Sequence, residues 1–136
     1  MQFEDLIYDV ANGRATITIN RPEKLNAFRV QTVEELAQAF EAAADDPSVG
    51  VVLFQGAGEK AFCVGGDIGS PTTTGAEKRH LMRTHQRLGV AMRDNGMPII
   101  CRVQGWCVGG GHELHMLSDL TIASESARFG MAEAEI

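Results

Sequence analysis

Little in this sequence invites the commonest specialised readings. Cysteine is scarce: Cys63, Cys101 and Cys107 are an odd number set in apolar runs with no C-x-x-C pair, so buried, reduced thiols in a cytoplasmic protein are expected rather than a disulfide framework. Positive charge is short as well. Twelve Lys and Arg against 18 Asp and Glu leave a net charge of −6, which argues against nucleic acid or an anionic membrane as a general partner. That balance still permits one small phosphorylated ligand held by a few local cations. No apolar run approaches the ~20 residues that span a bilayer. The stretch Met1 to Asp9 carries Glu4, Asp5 and Asp9 and no basic segment, so neither a secretory signal nor a transit peptide is expected. The nucleophile elbow G-x-S-x-G, the Walker A loop and the Rossmann G-x-G-x-x-G are all missing.

What is present, over 136 residues, suits a single domain able to bury a core. Phe3 to Val10 and Arg14 to Asn20 alternate apolar and polar residues around Asn12-Gly13, which predicts a β-hairpin ended by Arg21-Pro22. Thr32-Val33-Glu34-Glu35 has the form of a capping box and predicts a helix from about Val33 to Ala44. The run Val49 to Gln55 predicts a strand buried on both faces, and Ala61 to Val64 another short extended piece. Residues 69–76 have the composition of a loop. Thr74 with Glu77 is a second capping box, opening a helix whose inner face is Leu81, His85, Leu88 and Met92, stopped by Asp94-Asn95-Gly96. Strands are expected at Ile99 to Val103 and Trp106 to Val108, then a helix from the glycine triplet to near Ser118, then strands at Asp119 to Ala123 and Ala127 to Gly130. Strand, strand, helix thus recurs about three times, an α/β pattern. The final residues, Met131 to Ile136, bring no helix to cover the last strands, so an incomplete domain is expected.

Two glycine-rich breaks stand out: Gly65-Gly66-Asp67 and Gly109-Gly110-Gly111, each following a short apolar strand. If those strand ends lie side by side, each can aim a backbone N–H at one point, as an oxyanion hole does. Two tight turns would leave the same signature. Glu113 and Glu133 are the carboxylates singled out, because each follows an apolar strand end where a carboxyl can act as acid or base. Any of the 18 acidic residues is otherwise solvated surface. His112 and His115 form H-E-x-H, not the H-E-x-x-H of zinc proteases, and no third ligand is close in sequence, so no metal site is expected.

Read together, the blocks Asn20 to Phe28, Lys60 to Asp67, Val103 to Leu114, and Asp119 to Ala123 with Phe129-Gly130 resemble, in order, the signature regions of the enoyl-CoA hydratase/isomerase (crotonase) family. The resemblance implies a crotonase-like spiral of ββα units that binds acyl-CoA thioesters, with coenzyme A part of the substrate and no separate cofactor. It implies an oxyanion hole from the N–H groups of Gly66 and Gly110. It places the adenine end of coenzyme A near Lys24, Leu25 and Ala27 and near Val64, Gly65, Asp67 and Ile68, with Lys24 as a phosphate partner and Trp106 and Gly109 also at the substrate. In family hydratases one catalytic glutamate follows G-G-G-x and the other F-G-x-x; Glu113 and Glu133 hold those positions. Their presence favours hydration of an α,β-unsaturated thioester, with a double-bond isomerase as the alternative.

Asn26-Ala27-Phe28-Arg29, the Phe62 to Asp67 block and Leu114-His115-Met116 also resemble the narrower branch of dihydroxynaphthoyl-CoA synthase and 2-ketocyclohexanecarboxyl-CoA hydrolase, which act on cyclic acyl-CoA substrates. Glu113 and Met131-Ala132-Glu133 depart from that branch, leaving a hydratase for a cyclic or branched acyl group. Family members continue past this length with helices that build a homotrimer or a dimer of trimers. A ring-forming or ring-cleaving enzyme of cyclic acyl-CoA substrates is therefore kept as an alternative, and so is a non-catalytic, truncated CoA-binding fragment.

Overall fold

The computed structural model describes residues 1–69 and 72–131. Its first turn is the one the Asn-Gly pair demands: Asn12 and Gly13 take φ of 53° and 76°, the two left-handed residues of a tight hairpin whose twist matches its strands. They join β1 (Leu6–Ala11) to β2 (Arg14–Ile19), paired antiparallel from Ala11↔Arg14 to Leu6↔Ile19.

The next helix, α1 (Val30–Asp45), begins three residues before the expected Val33. Thr32 is not its N-cap. The Thr32 hydroxyl instead accepts from Arg29 N–H at 3.1 Å and donates to Asp5 at 2.5 Å, while the Glu35 carboxylate accepts from the N–H groups of Glu4 and Asp5 at 2.9 and 2.8 Å. A local capping motif has been turned to a long-range task, tying the start of β1 to the helix. The second box forms as expected: Thr74 Oγ1 accepts from Glu77 N–H, and the Glu77 carboxylate accepts from Thr73 and Thr74 N–H, opening α2 (Gly75–Arg93).

The remaining elements are β3 (Val51–Gly56), β4 (Ala61–Cys63), β5 (Ile99–Val103), β6 (Trp106–Val108), α3 (Gly110–Met116), β7 (Leu120–Ala123) and β8 (Arg128–Gly130). They sort into a five-stranded sheet, β1-β2-β3-β5-β7, and a three-stranded sheet, β4-β6-β8. From β2 onward every pairing within these sheets is parallel. The first repeat keeps both strands in the large sheet, and from β3 onward each repeat sends its first strand to the large sheet and its second to the small one, so the chain is a spiral of ββα units. Parallel neighbours need a crossover, and α1, α2 and α3 supply it in turn.

The core lies between α1, α2 and the two sheets. Phe54 of β3 meets Phe40 of α1 and Phe62 of β4 edge to face, with centroids 5.4 and 5.3 Å apart. Leu88 and Met92 bring the α2 face into the same cluster, with Leu81 and His85 half-buried. In β3 only Val52 and Phe54 are fully buried, while Val51, Leu53 and Gln55 are half-covered, so this strand is not enclosed on both faces as its apolar run suggests. The three cysteines are reduced and buried, and burial pushes their thiols up to about 12, so they are poor nucleophiles and pack within the core.

Candidate active site

Strand pairing places the two glycine breaks together. β4 and β6 run parallel with Cys63 opposite Cys107, so the loops that follow them leave the small sheet at the same edge, the carboxyl ends where open α/β sheets hold ligands. The loops touch: a Cβ on Gly65 would lie 3.0 Å from Gly110 N, and Gly65 has φ of 95°. Close approach is also required at Gly111, where a Cβ would lie 2.1 Å from the Cys63 carbonyl oxygen. Among the described residues the Gly66 N–H has no hydrogen-bond partner. Gly110 opens α3, so its N–H belongs to the first turn that a helix leaves without internal acceptors. Two free amides thus sit on adjoining loops.

The Gly66 loop is held from the other side by residues 21–29. Phe28 forms a parallel bridge with Gly66, donating to Gly65 O and accepting from Asp67 N–H, both at 2.8 Å. Its ring lies against Gly110, where a Cβ would come within 2.6 Å of Phe28 Cζ. Arg21, buried, donates to Ala27 O at 2.5 Å and to Asp67 Oδ2 at 3.0 Å. A hydrogen bond from Gly69 N–H, then the Arg21 guanidinium, hold the Asp67 carboxyl below the usual range. Asn26 is buried, with φ of 57°; its amide nitrogen donates to Ala57 O and Ala61 O, both at 2.9 Å, and its oxygen accepts from Arg21 N–H at 3.0 Å. These contacts fix the loop's path through local bonds at Arg21 and long-range ones spaced 31 to 46 residues apart in sequence.

Of the residues expected at the site, Gly65, Gly66, Gly109 and Gly110 come together, and Val64 and Asp67 flank Gly65 and Gly66 on the same loop. Glu113 lies in the first turn of α3, on the helix that begins at Gly110, with an exposed carboxylate. Glu133 lies outside the described residues. Gly66, Asp67 and Ile68 line a cleft of about 310 Å³ with Phe28 and Leu81, and Ile68 is 97% exposed. Leu25, with φ of 52°, lines another cleft of about 350 Å³ beside Lys60, and Lys24 is exposed next to it in a 3-10 turn. Trp106 sits apart, at the opposite end of β6 from the glycines and 49% exposed. Among the described residues a larger cleft, about 610 Å³ between α1 and α2, is lined by none of the glycine-loop residues, so size does not locate the site. Arg21, Asn26 and Phe28 are the positioning residues that the sequence did not single out. Only Asn26 carried a signal, since asparagine tolerates the left-handed region.

A family model described as enoyl-CoA hydratase/isomerase matches residues 9–136. Among solved structures, the chain is similar to an enoyl-CoA hydratase/carnithine racemase from Magnetospirillum magneticum, at 30% identity and a TM-score of 0.90, covering 98% of this chain and 51% of that one. It is similar to an enoyl-CoA hydratase/isomerase from Xanthobacter autotrophicus Py2, at 33% identity and 0.90, covering 98% and 51%. An enoyl-CoA hydratase from Bacillus anthracis matches at 29% identity and 0.90, covering 97% and 52%. The chain spans about half the length of the structures it matches.

Proposed function

This chain belongs to the enoyl-CoA hydratase/isomerase family, and from that premise we propose that it binds an acyl-CoA thioester and adds water across an α,β-unsaturated acyl group. The observation that carries the reading is the contact between the Gly65-Gly66 loop and Gly110, which sets two unpaired N–H groups on adjoining strand ends. In this reading both amides donate to the thioester carbonyl oxygen. That withdraws electrons from Cβ and stabilises the enolate formed when water attacks there. One such donor contributes ~3 kcal/mol of transition-state stabilisation because it is fixed before charge develops. Glu113, on the same helix as Gly110, takes the proton from the attacking water; Glu133, three residues beyond Gly130, delivers a proton to Cα. The cleft at Phe28, Asp67 and Ile68 takes the adenine end of coenzyme A, and Lys24 attracts a coenzyme A phosphate over the cleft at Leu25.

The homotrimer, or dimer of trimers, belongs to the same proposal. Leu120, Ile122 and Phe129 leave an apolar face open on β7 and β8 that such an assembly would cover.

The test follows the loss of enoyl-thioester absorbance on crotonyl-CoA. Glu113→Gln and Glu133→Gln are each expected to slow turnover by about 10²-fold or more. Wild-type rates in both variants would overturn the two-carboxylate hydration. Full double-bond migration by Glu113→Ala, without hydration, would instead indicate an isomerase working through Glu133 alone.

A further inference from the structure

Cys107, His112 and His115 meet where β6 runs into α3, and each offers one ligand atom within 4.8 Å of the other two. Different rules bring them there. Cys107 is the inward-facing residue of β6 and part of the core. His112 and His115 are three apart on α3, a spacing that puts both side chains on one helix face. Their rings stack with centroids 5.3 Å apart and planes 15° from parallel, and Phe129 flanks them at 5.6 and 5.0 Å. The two Nδ1 atoms face each other at 3.2 Å. A tetrahedral ion with metal–nitrogen bonds of about 2.0 Å holds two nitrogens about 3.3 Å apart, so the pair already stands at chelating separation. His115 Nε2 is engaged by Thr121 Oγ1, an outer partner of the kind that fixes the orientation of a metal-bound imidazole.

We propose that Cys107, His112 and His115 form a binding site for a borderline-soft divalent transition-metal ion, with Zn²⁺ the best match to two imidazoles and a thiolate. Hard cations such as Mg²⁺ and Ca²⁺ want oxygen ligands, and this donor set offers none. On binding, the Cys107 thiol releases its proton to solvent and the sulfur bonds the ion, which then pins α3 against β6. The half-buried histidines give the ion its route in from solvent. The sequence hides this site because Cys107 lies outside the H-E-x-H spacing and joins it only through the turn from β6 into α3. Nothing in the proposal depends on the hydration chemistry.

The probes are Co²⁺ alone and Zn²⁺ alone, titrated into chelator-treated protein. One Co²⁺ per chain is expected, with the strong visible bands of a tetrahedral site and a thiolate-to-cobalt charge-transfer band, all displaced by Zn²⁺. Zn²⁺ is expected to raise the thermal midpoint. His112→Gln, at a half-buried position that leaves the core intact, should weaken binding by at least about 10-fold, and Thr121→Val by about 10-fold. Cys107→Ala should remove the charge-transfer band. The absence of stoichiometric binding in the wild type, a charge-transfer band that survives Cys107→Ala, or unchanged affinity in His112→Gln would each overturn the site.

Discussion

Strands β5 and β7 lie side by side in one sheet, yet β5 holds Ile99, Cys101 and Val103 at 0% exposure while β7 leaves Leu120 and Ile122 at 60% and 62%. The first is held by burial. The second is held by its backbone: the ladder to β5, Asp119 N–H to Ile99 O at 2.9 Å, Ile99 N–H to the Asp119 carboxylate at 2.7 Å, and Ser124 N–H to Val103 O at 2.9 Å. Apolar alternation therefore specifies a strand whether or not anything covers it. Stability concentrates in the phenylalanine core around β3, α1 and β4. The candidate site stands at the margin of that core, where glycines let backbones touch.

The comparison can be broken at its strong end first. Phe54→Ala, which removes the ring shared by Phe40 and Phe62, is expected to cost about 4 kcal/mol in urea unfolding. A cost near that of an exposed residue would place the stabilising core elsewhere. Gly111→Ala comes next, at about 3 kcal/mol, because overpacking against the Cys63 carbonyl outweighs the ~1 kcal/mol gain in helix propensity. Unchanged stability there would mean that α3 does not pack so closely on β4.

Asp5→Asn should cost about 2–3 kcal/mol at pH 7, since Asp5 accepts charge-assisted bonds from Arg29. Burial pushes the Asp5 carboxyl up, but hydrogen bonds from Arg29 and Thr32 and the charges of Arg29 and Arg21 outweigh it and hold the group below its usual range. A depressed carboxyl stabilises the fold fully above its unfolded value of about 3.9 and loses that contribution as pH falls through the folded value. The gap between wild type and Asp5→Asn should therefore narrow below pH ~3.9 in acid titrations followed by circular dichroism. A gap that stays constant with pH would remove the ion-pair explanation. Ile122→Ala is the smallest effect, within about 0.5 kcal/mol if β7 is open to solvent. A cost of several-fold more would show that a partner covers this face in solution.

The hairpin, the Thr74 cap, the helix stop at Gly96 and the strand–strand–helix order were legible in the sequence because each rests on contacts a few residues long. The Thr32 box was misread for the converse reason. Its glutamate position, Glu35, is taken by the amides of Glu4 and Asp5, 31 and 30 residues away, and no local pattern records that. At the candidate site the glycines were legible as conformational exceptions. Arg21, which braces Asp67 from 46 residues away, was not.

Composition and periodicity by themselves determined an α/β chain of ββα repeats, buried, reduced cysteines, and two glycine breaks with a carboxylate beside one of them. Only the tertiary structure decided that those breaks adjoin. Their meeting depends on parallel pairing of β4 with β6, strands separated by the whole of α2 and β5. Pairing of β6 with β8 and of β5 with β7 likewise brings Phe129 and Thr121 against α3, whereas Cys107, His112 and His115 themselves meet through the local turn from β6 into α3. Hydrogen bonds between distant strands leave no trace in the spacing of either partner, which is why the meeting of the two glycine breaks is not written in the chain.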